Sequence, residues 1–256
     1  MSANQLKIEQ AVALLQKSTY TVALTGAGIS TPSGIPDFRS PNAGIWTHAD
    51  PFQVATIYAF KQRPQDFYDW IRPLTRTMLT AVPNPAHIAL AQLEAYGPLQ
   101  SVITQNIDLL HTRAGSRVVH EVHGHIREMT CVRCYQIFEA APFMNEVVEE
   151  HVVPHCPACG GVLKPNVILF GEQLPIRILN LAKKEAQRCD LMLVAGTSLE
   201  VAPAGDLPLL ARQTGAHLII VNQGSTFMDD NADIVIHADV ADVLPLLAAP
   251  FLREPV

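Results

Sequence analysis

Four of the five cysteines fall in two tight pairs, Cys131-Val-Arg-Cys134 and Cys156-Pro-Ala-Cys159. Each pair sets two sulfurs on one knuckle, and two such knuckles make a tetrahedral four-thiolate site. The spacing predicts one structural zinc ion held by Cys131, Cys134, Cys156 and Cys159. Four protein ligands close the metal off from chemistry. Two unrelated pairs or a redox disulfide are the other readings of the same residues. Cys189 reads as an inert buried cysteine.

A second set of polar residues follows apolar runs. Gly26-Ala27-Gly28-Ile29-Ser30 comes straight after Tyr20-Thr-Val-Ala-Leu-Thr25. A glycine turn after a strand can cradle a dinucleotide pyrophosphate. The pattern is incomplete, because Thr31 stands where a third glycine would be, so an ordinary tight turn is the alternative. Gly34-Ile-Pro-Asp37-Phe38-Arg39 then brings an acid, an aromatic ring and a guanidinium together. An arginine beside an aromatic could hold a phosphate and a flat heterocycle, and a plain surface loop is the other reading. Thr104-Gln105-Asn106-Ile107-Asp108 offers amide and carboxylate groups suited to a ribose or an amide, or to capping a helix. Gly196-Thr197-Ser198 and Asn222 repeat the arrangement after two later apolar runs. Of His111, His120, His123 and His125, His123 precedes Gly124 and is the candidate general base. Lys164-Pro-Asn-Val-Ile-Leu-Phe-Gly-Glu172 reads as a core strand plus turn, or as an edge that pairs with an extended peptide.

These groups need a scaffold that collects strand ends. Apolar periodicity predicts a helix over 3–17. Short buried strands are expected at 20–25, 101–104, 167–170, 191–194, 217–221 and 233–237. Helix-length stretches lie between several of them, at 86–96, 176–188 and 203–213. Strands alternating with helices predict an α/β fold, a Rossmann-like parallel sheet covered on both faces. Two stretches break the rhythm. Residues 41–85 are proline-rich and helical in places, and 126–163 carry the cysteine pairs. Together they are expected to form a smaller domain from a helical and a zinc-binding module. The large domain then takes 1–40, 86–125 and 164–256.

The chain has 256 residues, 48% of them hydrophobic, enough for a substantial core. Only 16% are charged and the net charge is −6, which speaks against a dedicated nucleic-acid binder. No apolar run reaches membrane-spanning length. The start is polar, without the pattern of a secretory signal, so a cytoplasmic protein is expected, and a monomer.

In this order the motifs resemble those of the sirtuin family of NAD-dependent protein deacylases, from about residue 10 to about residue 245. The resemblance implies a Rossmann-like domain, a smaller domain of zinc ribbon plus helices, and a cleft where NAD meets an acyl-lysine peptide. By that resemblance Gly26, Ala27, Gly28, Thr31, Asp37, Phe38 and Arg39 line the NAD pocket. Gln105 binds the nicotinamide ribose, Ile107 and Asp108 meet the carboxamide, and Asn106 helps hold the ribose and a water. Gly196, Thr197, Ser198, Asn222 and Val240 hold the far half of the cofactor. His123, with Asn106, is catalytic, and Ile168, Phe170, Gly171, Glu172 and Val201 border the acyl-lysine channel. The implied reaction is deacetylation of protein lysine, releasing nicotinamide and O-acetyl-ADP-ribose. Mono-ADP-ribosyl transfer and a non-catalytic zinc-ribbon binding module are the competing readings.

Two departures from the family pattern bear on this reading. Leu109 stands where a glycine is common. Family members that prefer succinyl or malonyl groups carry Tyr-x-x-Arg, whereas here Tyr68 is followed at that offset by Ile71, with Arg72 one residue later. One residue on a helix is about 100° of rotation. Arg72 is therefore expected to point elsewhere, leaving a preference for acetyl or other neutral acyl groups.

Overall fold

The computed structural model describes residues 3–37 and 50–252. Phe38 and Arg39, both expected at the cofactor pocket, lie outside the described residues.

Six strands form a parallel sheet: β1 (Thr21–Thr25), β2 (Leu99–Thr104), β3 (Val119–Glu121), β7 (Leu191–Ala195), β8 (His217–Val221) and β9 (Ile234–Ile236). Their order is β3-β2-β1-β7-β8-β9, the doubly wound arrangement in which the chain leaves β1 toward one edge and later returns toward the other. All five residues of β1 and of β7 are buried, because both faces are covered. Alternate side chains divide the core. Ala23, Val102, Leu193, Ile219 and Val221 meet α1 (Ala3–Lys17), α5 (Pro85–Tyr96) and α10 (Val240–Ala248). Val22, Leu24, Ile103, Met192, Val194 and Ile220 meet α8 (Ile176–Arg188) and α9 (Leu207–Gln213). Each fully buried Leu or Ile contributes about 1.5–3 kcal/mol.

A second sheet is antiparallel, with order β5-β4-β6: β4 (Gly124–Cys131), β5 (Ile137–Glu139) and β6 (Leu163–Val167). It shares one core with the helices α3 (Ile57–Gln62), α4 (Pro64–Thr80) and α7 (Met144–Val148), and the short α2 (Pro51–Val54) precedes them. Phe60, Phe67, Tyr68 and Ile71 pack with Met129, Leu163 and Val167, and Phe60 meets Phe67 edge-on at 5.1 Å. The strand expected at 167–170 is displaced: β6 ends at Val167 and belongs to this smaller sheet. Beyond it, Phe170 makes an isolated parallel bridge with Thr56. The helix expected over 203–213 is shorter, starting at Leu207. No helix among the described residues is long and apolar enough to cross a membrane.

Candidate functional site: a cleft along the strand ends

Ordered loops extend the parallel ladder past the carboxyl ends of the strands. Val122 N donates to Thr104 O (3.0 Å), Gln105 N to Thr25 O (3.0 Å), Gly28 N to Gly196 O (2.9 Å), Gly196 N to Val221 O (3.0 Å) and Asn222 N to Ile236 O (3.2 Å). A main-chain band thus runs from the β3 edge to the β9 edge. The glycines serve this band. A Cβ on Gly28 would stand 2.9 Å from Gly196 O, and one on Gly196, whose φ is 63°, 2.3 Å from Ile29 N. The close approach made possible by the glycine turn is thus that of the chain's own loop.

Above the band lies one cleft of about 1020 Å³. Gly26, Ala27, Gly28, Thr31 and Asp37 line it after β1, and Gln105, Asn106, Ile107 and Asp108 after β2. His123 lines it after β3, Gly196, Thr197 and Ser198 after β7, Asn222 after β8, and Val240 at the start of α10. Ile168, Phe170, Gly171, Glu172 and Val201 border the same space. The fold thus brings together all the expected cofactor and substrate residues that are described. The four cysteines lie apart from them, in the smaller unit.

The β1–β3 end holds a buried polar network. Ser30 Oγ donates to Asp108 Oδ2 at 2.6 Å and accepts from Asn106 Nδ2 at 3.0 Å. The same Asn106 nitrogen reaches Gly26 O at 3.0 Å. Leu110 N donates to Asp108 Oδ1. Burial raises the Asp108 pKa, opposed by the bonds from Ser30 and Leu110 N. Leu109, at the glycine position, adopts φ 66°, in the left-handed region that accounts for the glycine preference.

Behind Ser30 stand two histidines. His87 Nε2 lies 3.5 Å from Ser30 Oγ, and His111 Nε2 shares a 2.9 Å hydrogen bond with Thr25 Oγ1. Their rings are 4.9 Å apart, and both Nδ1 atoms are buried without a protein partner. Burial pushes the His87 pKa down to about 4 and that of His111 well below its ordinary value. The Asn84 side chain caps α5 through Ala86 N and bonds Ile29 O and Ser33 Oγ, which locks His87 against the glycine turn. Sequence reasoning passed over Ser30 and His87 and read His111 as an ordinary helix residue. The available signal was a histidine on the apolar face of α5.

His123 Nδ1 is 3.0 Å from Gln105 O. A carbonyl only accepts, so the proton resides on Nδ1 and the Nε2 lone pair is left for chemistry. Burial lowers the His123 pKa and the bond to Gln105 O raises it, with a net downward shift. The ring is therefore neutral at pH 7, as a base must be. The Gln105 amide bridges to Thr197 Oγ1 at 3.0 Å, which joins the ends of β2 and β7 across the cleft. Gly124, with φ 79°, leaves room for Asn166 O, which a Cβ would meet at 2.0 Å; the group approaching there is β6.

At the channel border, Phe170 lies 5.9 Å from Phe52. The Glu172 carboxylate is engaged by Lys164 Nζ at 3.0 Å and Leu169 N at 2.9 Å. Phe67, Trp70, Ile71, Leu74 and Met78 of α4 add an apolar wall. Tyr68 is turned away and donates to Leu163 O at 2.6 Å. Arg72 also points away, with Nε donating to Val147 O at 2.7 Å and Nη2 paired with Asp69 at 2.8 Å.

The four cysteine sulfurs lie within 4.8 Å of one another. Cys131 and Cys159 are 3.5 Å apart and Cys134 and Cys156 3.7 Å, close to the edge of about 3.8 Å set by Zn–S bonds of about 2.3 Å. A disulfide requires about 2.05 Å, and all four thiols are free. The amides of Arg133 and Cys134 point at Cys131 Sγ (3.4 and 3.5 Å), which suits a thiolate. The donor set therefore fits a structural zinc ion.

The model of the Sir2 family matches residues 26–203. The chain is 46% identical over 232 residues to an NAD-dependent protein deacetylase of Sulfurisphaera tokodaii, covering 91% of each chain. It is 44% identical over 248 residues to NAD-dependent protein deacylase 2 of Archaeoglobus fulgidus, covering 96% of this chain and 97% of that one. Among solved structures, a Sir2 enzyme superposes with a TM-score of 0.90 at 42% identity, covering 96% of this chain and 97% of the other. A complex of Sir2 with a p53 peptide and NAD+ gives 0.85 at 42% identity over 93% and 95%. With the doubly wound sheet, the strand-end cleft and the four-thiolate cluster, these likenesses define the chain as a member of the Sir2 family.

Proposed function

We propose that this protein is an NAD-dependent protein-lysine deacetylase whose products are nicotinamide, the free lysine and O-acetyl-ADP-ribose. The observation that carries this reading is the single cleft in which His123, its Nε2 lone pair unspent, shares space with polar strand ends and an apolar channel. Like the Sir2 proteins described in complex with peptide substrates, it acts on acetylated lysine in a peptide segment. A cytoplasmic location belongs to the same proposal and is supported by the free thiols.

NAD fits the residues present. The cleft of about 1020 Å³ runs past the strand ends at the point where the chain reverses its winding, where such ligands lie in open α/β sheets. When bound, it supplies an electrophilic ribose carbon with nicotinamide as leaving group. Ala27, Gly28 and Thr31 would flank the pyrophosphate, while Thr197, Ser198 and Asn222 would hold the adenosine half. Asn106 and Asp108, fixed by Ser30, orient the nicotinamide end. Ile168, Phe170 and Val201 guide the acyl-lysine and keep water out. His123 Nε2 would accept a proton from a ribose hydroxyl, and Gln105 O, bonded to Nδ1–H, would steady the imidazolium so formed.

Incubation with NAD and an acetylated peptide, followed by mass analysis, tests the reading. Deacetylated peptide, nicotinamide and O-acetyl-ADP-ribose are expected. ADP-ribosylated protein without loss of acetyl groups would replace it with mono-ADP-ribosyl transfer. Binding of neither NAD nor peptide would leave a non-catalytic zinc-ribbon module.

A further inference from the structure

Lys164 lies on β6 and reaches past the end of its own strand. Its three ammonium hydrogens find Val167 O at 2.8 Å, Glu172 Oε2 at 3.0 Å and Pro165 O at 3.2 Å. The side chain is only 12% exposed, and that of Glu172 22%. β6 stops at Val167, and Ile168 N still donates to His123 O at 2.9 Å. Residues 169–172 then make a tight turn, with Glu172 N on Leu169 O at 3.0 Å and Leu169 N on Glu172 Oε2 at 2.9 Å. Gly171 supplies the positive φ, 86°, at its third position. Phe170 spends both main-chain groups on the helical module: its N donates to Ala55 O at 2.9 Å and its O accepts from Ile57 N at 3.0 Å. The exposed main chain of Gly171 makes no hydrogen bond among the described residues and is the edge left over for an extended peptide.

A largely buried ion pair gains little net stability over an apolar pair of equal volume, because both charges lose their water. What this pair supplies is direction. The ammonium ties the last carbonyl of the strand to the carboxylate that closes the turn, while Lys164 itself does not line the cleft, as Glu172 does. We propose that Lys164 is a positioning residue for the peptide substrate: acting through Glu172, it holds the 169–172 turn against the end of β6, so that a peptide pairing with Gly171 presents its acetyl-lysine to the channel beside His123. The inference rests on the proposed function, which places the peptide at this border.

Steady-state assays at saturating NAD, with an acetylated peptide varied, test it. Lys164→Met keeps the apolar stem and removes the three donors. It should raise the KM for peptide roughly tenfold, with kcat within about threefold and ADP-ribose affinity, read by calorimetry, unchanged. A general loosening of the fold would move all three. In a Glu172→Ala background the same change should cost no more than about threefold, because the partner through which Lys164 acts has already gone. Should Lys164→Met not fold, Lys164→Gln, which is polar but shorter, carries the same expectation. An unchanged KM, a fall in kcat and ADP-ribose affinity alongside it, or an equal loss in both backgrounds would overturn the assignment and leave the deacetylase reading standing. A wild type that removes no acetyl group would sink both.

Discussion

The two ends of the cleft are built on opposite principles. At the β1–β3 end, Ser30, His87, Asp108 and His111 are buried, with Ser30 bonded to Asp108 at 2.6 Å and His111 to Thr25 at 2.9 Å. At the β8–β9 end, Gln223 and Gly224 are exposed, the Asn222 amide side chain donates to Gly224 O at 2.8 Å, and Asp239 is half-buried. A side chain held in a dry network keeps its direction, whereas one at a wet rim adjusts to its ligand at little cost. On the proposed function, chemistry falls at the first end and recognition at the second, so the same truncation should cost far more on the first side.

The largest expected effect is that of His123→Ala, which should lower deacetylation about 10²–10⁴-fold while ADP-ribose still binds in calorimetry. Unchanged turnover would erase the distinction between the ends. Next comes Asp108→Asn, which weakens the charge-assisted bond from Ser30 and should reduce kcat/KM by roughly 10–100-fold, as steady-state assays would read. The apolar α4 wall, with Tyr68 and Arg72 turned away, should favour acetyl over succinyl peptide by roughly tenfold or more. Faster succinyl removal would show a cation reaching the channel.

The buried histidines add a pH test. His87 titrates near 4 in the folded state against 6.5 in the ordinary range, and His111 is shifted the same way. The unfolded chain therefore binds more protons between these values, and stability is lost as pH falls from about 6.5 toward 4. Each histidine contributes a slope of at most about 1.4 kcal/mol per pH unit, and the raised Asp108 opposes them over the lower part of the window. Urea midpoints measured across that range should fall with pH, and less steeply in His87→Gln. The smallest effect belongs to the open end, where Asn222→Ala should weaken ADP-ribose only about threefold, within the range of one neutral hydrogen bond.

Much of this was legible in the chain. Continuous apolar runs marked β1, β7 and β8, because strands buried on both faces leave no alternation to misread. The cysteine pairs announced their cluster because metal ligands must recur at fixed spacing. The β6 region misled because Val167-Ile-Leu-Phe170 is apolar throughout, yet its second half leaves the ladder to border the cleft. The histidine pair was hidden for a related reason. The apolar face of α5 was a signal for His87 alone, and the burial of both rings exists only once α5 has packed beside the glycine turn.

The band of amide bonds from Val122 to Ile236 has a consequence for how this site can be altered. Its strength owes nothing to side chains, so most point changes along the floor leave its curvature intact. Proline, which lacks the amide hydrogen, is the substitution that cuts it, and at position 105 or 222 it would unzip the floor between two neighbouring strands. Variation in what the cleft accepts is thereby confined to its rims, where a new specificity can be installed without rebuilding the base beneath it.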